Sequence, residues 1–139
     1  MPNPYFDIKK IVFNKRNVEI YTSEVAELDS CAKFRFIDNY ILYYKSVLHH
    51  TCINKYGKTF EACMQHTSLS HFFEHAVIQE LVNRDNPISD FKFCGFTKLV
   101  NSDSPYLTYC ITLNYQVDIE TLFAIKAART KFDEILESI

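Results

Sequence analysis

The chain has 139 residues, 47% of them apolar, and a formal net charge of −2. That is enough for one domain, residues 1–139, with a real core. It lacks the clustered Lys and Arg that nucleic acid demands. Only two glycines and four prolines occur, which excludes collagen-like, linker-like and low-complexity chains. No apolar run reaches the length of a membrane span.

The opening "MPNPYFDIKK" lacks the charged-then-apolar order of a secretory signal, so a cytoplasmic location is expected. "IKKIVF" and "NVEIYT" are rich in β-branched and aromatic residues and flank "NKRN", which predicts a β-hairpin. A third extended piece is expected at Ala32 to Phe36. From Ile37 the period changes: Ile37, Ile41, Leu42, Tyr44 and Leu48 suit a helix ending near His49 to Asn54. Gly57 in "NKYGKT" reads as its stop signal, and "TFEACMQH" as one or two further helical turns.

The next helix is the clearest. Ser68 or Ser70 can cap it. Leu69, Phe72, Phe73, Ala76 and Val77 repeat as one buried face, and "NRDNP" ends it before Pro87. Two strands follow within Asp90 to Val100 and Tyr106 to Val117, joined by the turn residues "NSDSP". In the second, Leu107, Tyr109, Ile111, Leu113 and Tyr115 share one face. Thr108, Cys110, Thr112 and Asn114 share the other, whose mixed character marks it as the place for a site. Ile119 to Ile139 is amphipathic through Ile119, Leu122, Phe123, Ala127, Phe132, Ile135 and Leu136, with Asp118 as its cap. The order predicts an α+β fold: a mostly antiparallel sheet, helices packed on one face, and a metal-type motif on a central helix.

That motif is His71-Phe72-Phe73-Glu74-His75, a His-x-x-Glu-His pattern. Histidines at i and i+4 lie one above the other and can take two positions on a tetrahedral zinc. Glu74 projects beside them as the general base for a metal-bound water, with helix polarity reversed relative to His-Glu-x-x-His. The plain alternative is the polar face of a packed helix. A third ligand is needed; Cys94 beside Gly95 is the first choice and Cys110 the second. Cys63 and His66 could join His71 and His75 in a structural site. His49, His50 and Cys52 sit at a predicted helix end, where a favourable interaction with the helix C-terminus is expected. The five cysteines are widely spaced and odd in number, as expected of reduced thiols. No Gly-x-Ser-x-Gly elbow or glycine-rich phosphate loop occurs.

Asp38 to Tyr115 resembles the N-terminal domain of cyanophycin synthetases. "NYILYYKSVL" leads into Cys52 and Gly57; "FEACMQHTSLSHFFEHAVIQEL" resembles that domain's segment ending in a His-x-x-Glu-His helix. "CGFTK" and "YLTYCITLNY" take the places of its next strands, and "LFAIKAARTKF" closes both. The domain is similar in turn to the wider fold of S-ribosylhomocysteine lyase and the processing peptidases, with their inverted zinc helices. The resemblance implies zinc at His71 and His75, Glu74 as base, and either cleavage or mere holding of an Asp-Arg polymer. Departures fall at Asn114, where the family tends to be acidic, at Phe96, where a basic residue is expected, and at Gln79 and Glu80.

Two main expectations follow, with a third beside them. One is a zinc hydrolase acting on a peptide or isopeptide-type amide, with His71, His75 and Cys94 on the metal. The other is a non-catalytic binding or assembly module of the same fold, with or without a metal; a lyase or isomerase acting on a small metabolite is a third, since fold does not settle chemistry. The expected partners are a peptide-like or small-molecule substrate, with neither nucleic acid nor membrane; a homo-oligomer sharing the site would be invisible in one chain.

Overall fold

Period-2 alternation builds two hairpins into one sheet. The computed structural model describes residues 3–84, 91–103 and 105–139. β1 (Phe6–Phe13) and β2 (Asn17–Val25) form the expected N-terminal hairpin. β5 (Gly95–Asn101) and β6 (Tyr106–Asn114) form the second. The four join in the antiparallel order β1-β2-β6-β5. Register aligns Phe13 with Val18, Val18 with Leu113, and Leu113 with Gly95, so one face is apolar. In β1 the apolar positions break step between Ile8 and Ile11. A bulge at Lys9 absorbs the extra residue and keeps Phe6, Ile8, Ile11 and Phe13 on that face.

Helix α1 (Ser30–Tyr43) begins earlier than expected, because Asp29 Oδ1 accepts the Ala32 N–H at 2.9 Å and caps it. Ala32 to Phe36 is therefore helical, not extended. Ala32, Phe36, Ile37 and Tyr40 are its buried stripe. The helix does not run on to His49. A short 3₁₀ turn covers Lys45–His49, and then comes a small hairpin, β3 (Thr51–Asn54) with β4 (Gly57–Thr59). Gly57 serves that hairpin and stops no helix. Its φ of +152° is closed to L side chains, and a Cβ there would lie 2.7 Å from Ala62 Cβ. The Phe60 N–H donates to the His50 carbonyl at 2.9 Å, tying the hairpin to α2 (Phe60–Cys63).

Helix α3 (Leu69–Arg84) and helix α4 (Asp118–Glu137) complete the fold. The expected helix end at "NRDNP" and the start of the following strand reach into residues 85–90, outside the described part. In α4 the buried stripe is Thr121, Ala124, Ile125, Ala128, Phe132, Ile135 and Leu136. Ile119 and Phe123, expected inside, are 50% and 43% exposed: the true stripe starts two residues after Ile119. Asp118 lies within the first turn and Val117 holds the cap position.

An aromatic cluster on the buried side of the sheet joins the three long helices. Phe6 of β1 contacts Phe73 of α3 and Phe132 of α4, with ring centroids 5.2 and 4.9 Å apart. Phe36 of α1 meets Phe72 and Phe132 edge-on at 5.0 and 5.4 Å. Tyr40 donates its buried hydroxyl to the Phe72 carbonyl at 2.8 Å. Among the described residues no helix is long and apolar enough to cross a membrane.

Candidate metal centre

The start of α3 is clamped twice. Ser68 Oγ accepts the His71 N–H at 3.1 Å, so Ser68 is the cap. Glu24 reaches from β2 to accept the Leu69 and Ser70 N–H groups at 3.0 and 2.8 Å, and the Ser70 hydroxyl at 2.6 Å. A carboxylate at a helix N-terminus matches the dipole. Ser70, the other expected cap, is buried against Glu24 and Thr22. The first two turns, which carry the motif, are thus fixed on the sheet.

The motif face is not a solvated one. Glu74 and His75 are each 3% exposed, and α3 buries residues all round. Phe60 of α2 covers the histidines, its ring 4.3 Å from that of His75 and 5.3 Å from that of His71. His71 Nε2 lies 3.2 Å from His75 Nε2 and 3.5 Å from Cys52 Sγ of β3. All three donor atoms lie within 4.8 Å of one another. Bond lengths of about 2.05 Å to nitrogen and 2.3 Å to sulfur at a tetrahedral angle put nitrogens about 3.3 Å apart and nitrogen and sulfur about 3.5 Å apart. The two separations that meet at His71 Nε2 match those around a tetrahedral ion such as zinc.

The proton positions agree. Gln79 gives its amide N–H to Asn83 Oδ1 at 2.9 Å and so turns its oxygen, an acceptor only, to His50 Nε2 at 2.8 Å. His50 Nε2 must carry the proton. Burial holds His50 neutral by lowering its pKa, so its Nδ1 is a bare acceptor. His75 Nδ1, 3.0 Å away, then donates to it, and His75 Nε2 is left as a lone pair facing His71. His71 Nδ1 sits 2.6 Å from Thr67 Oγ1; when that hydroxyl accepts, His71 Nε2 is bare too. Outer partners of this kind orient metal-ligating histidines. Burial pushes His71 down to about 4 and His75 down to about 2, and it pushes the Cys52 thiol up to about 12. At neutral pH both histidines are therefore ready to ligate, and the thiol must lose its proton to do so.

Glu74 stands outside the donor set. Its oxygens are 3.9 Å from His71 Nε2 and 3.7 Å from His75 Nε2, farther than atoms sharing one ion. Thr97 of β5 donates to Oε1 at 2.7 Å and fixes the carboxyl. Burial raises its pKa to about 7, only partly offset by that bond. Cys52, His71, Glu74 and His75 share the wall of a cavity of about 760 Å³.

The expected residues thus divide. His71, Glu74 and His75 come together. Cys94 is exposed, lines the same cavity and gives its backbone N–H to Asn114 Oδ1, but it is not in the donor group. Cys110 faces away across the sheet, 3.9 Å from Glu19. The mixed face of β6 is therefore not the site's face; Thr97, opposite Ile111, reaches Glu74 from the apolar one. His66 stacks on Tyr56 at 4.5 Å, whereas Cys63 is buried with its sulfur 4.0 Å from that of Cys52. His50 and Cys52, expected at a helix end, are two of the residues the sequence reading missed. Their spacing held a signal: two apart on an extended segment, side chains point the same way.

Comparison of the chain with protein-family models, with curated proteins and with solved structures finds no match.

Proposed function

We propose that the chain is a small zinc-dependent hydrolase acting on a peptide or isopeptide-type amide, as the resemblance to the cyanophycin synthetase N-terminal domain also suggests. The observation that carries this reading is the set of Cys52, His71 and His75 at tetrahedral spacing, with a separate carboxylate beside it. Three protein donors leave a fourth position, which is the pattern of catalytic rather than structural zinc. A zinc ion held there supplies a Lewis acid and an activated water.

The chain's own residues do the rest. His50 and Gln79 hold His75 in the tautomer that offers Nε2. Thr97 holds Glu74 at the histidine pair. Glu74 takes a proton from the attacking water and passes it to the departing amine. Phe60 screens the histidines and keeps their surroundings apolar. Metal analysis of protein purified without a histidine tag tests the first half. Zinc near one per chain is expected; substoichiometric zinc that raises no melting temperature on addition removes the proposal.

A second reading has its own observation. Cys63 Sγ is 4.0 Å from Cys52 Sγ, near the roughly 3.8 Å that two sulfurs take on one tetrahedral zinc. With Cys63 drawn in as a fourth ligand the site would be closed and the chain a non-catalytic module; as folded, Cys63 lies outside the group whose donor atoms all come within 4.8 Å of one another. Zinc affinity in Cys63→Ser separates the two: it is unchanged for the open site and falls sharply for the closed one.

A further inference from the structure

The cavity in front of the donor group has apolar walls that the chemistry of the metal centre does not need. Ile53, Val82 and Phe96 are 77%, 48% and 60% exposed. They stand on three separate elements, β3, α3 and β5, yet all line this one cavity. Phe91 and Phe93 add a pair of rings 4.9 Å apart to the same wall. Exposed apolar residues scattered singly mean little, but a ring of them around one opening marks a binding surface. Among the described residues lining the cavity, Glu74 and Lys92 are the only ones with a charged side chain. Glu74 already accepts from Thr97. A substrate presenting both a guanidinium and a carboxylate would find one counter-charge at the rim and would have to desolvate the other charge.

We infer that this cavity binds a peptide with a bulky apolar side chain next to the amide presented to Glu74, and that it rejects charged Asp-Arg-type segments. The inference rests on the hydrolase reading for the amide and what happens to it; the apolar preference rests on the cavity's lining alone. Phe96 and Val82 act as specificity residues: they touch the substrate's side chain and leave the donor group alone.

Two blocked peptides of equal length test it, acetyl-Gly-Leu-Phe-Gly-amide and acetyl-Gly-Asp-Arg-Gly-amide, on the full chain loaded with zinc. Binding is read by NMR titration against Glu74→Gln, and cleavage by mass spectrometry against the unaltered chain. The apolar peptide should bind at least about tenfold more tightly, the size of effect that removing a few methylenes has in a pocket. Phe96→Ala and Val82→Ala alter exposed side chains; each should lower that preference with zinc content unchanged. Equal or better binding of the Asp-Arg peptide overturns the inference, as does failure of the apolar peptide to bind. It also fails if the protein is dimeric and Phe96→Ala makes it monomeric, because the ring is then a contact with a second copy. Selective binding without cleavage overturns the hydrolase reading and leaves this one standing. Cleavage that prefers the Asp-Arg peptide does the reverse.

Discussion

Glu74 and Glu80 lie six residues apart on α3, and both are buried. Their surroundings differ in kind. Glu80 Oε2 accepts from Lys131 Nζ at 2.6 Å and from Tyr44 Oη at 2.8 Å, so an ammonium and a phenol compensate its charge. Glu24 is answered likewise, by two helix N–H groups and a hydroxyl. Glu74 has one hydroxyl donor and two neutral imidazoles. A buried carboxylate without a cation is expensive in a folded protein. The contrast separates carboxylates well satisfied inside the fold from one left with a single hydroxyl donor.

The strongest way to break that contrast is to neutralise each in turn. Glu74→Gln should keep zinc and lower turnover by about 10²–10⁴, the usual worth of a general base. Retained turnover removes Glu74 from the mechanism. Next in size are the ligands. Cys52→Ser should weaken zinc by more than about a hundredfold, since even outer partners are worth about 10–100-fold. Cys94→Ser should leave affinity unchanged; equilibrium dialysis with a zinc indicator decides which thiol binds. His50→Ala, which removes the group orienting His75, should fall in that 10–100-fold range. Glu80→Gln should leave zinc and turnover intact but destabilise the fold by about 1–3 kcal/mol, read by urea denaturation, because Lys131 and Tyr44 lose a charged acceptor. If it instead stabilises the protein, Glu80 is no structural carboxylate.

The last test is a pH slope. In metal-free protein the Glu74 carboxyl titrates near 7, above its ordinary 4.5. The folded state therefore holds this proton more tightly than the unfolded chain. That contribution is present below pH about 4.5 and is lost as pH rises through about 7. Relative to Glu74→Gln, the unaltered protein should lose up to about 1.4 kcal/mol per pH unit across that window. His71 and His75 act with opposite sign: with pKa values of about 4 and 2, their contribution is full above pH about 6.5 and lost as pH falls. Melting curves at pH 5, 6 and 7 on both proteins check the difference; parallel curves mean the carboxyl is not perturbed.

Much of the frame was legible in the sequence. The N-terminal hairpin, the paired strands β5 and β6 and the motif helix follow from alternation, turn residues and helical spacing, which act locally. The errors share a cause. Asp29 is a strong cap, yet the alternating Ala32-Lys33-Phe34-Arg35-Phe36 after it reads as strand, and the helical period shows only from Ile37, seven residues after α1 begins. Gly57 marks either a helix stop or a hairpin turn, and only contact with Ala62 decides between them. That mistake moved His50 and Cys52 off an extended segment and hid the donor that completes the group. Cys94 had the better local argument; Cys52 has the right place, and place depends on how the small hairpin folds back over α3.

That hairpin has one more consequence. Two short strands outside the main sheet have little stability of their own. Cys52 is on it, and His71 is 19 residues further along the chain. An ion shared by the two is a cross-link that closes a loop, and closing one of that length removes roughly 3 kcal/mol of unfolded-chain entropy by analogy with a covalent bridge. The proposed ion would then also be a clasp: if it is bound, drawing it out with a chelator should loosen residues 51–59 first, and amide exchange there should quicken while the aromatic core stays protected.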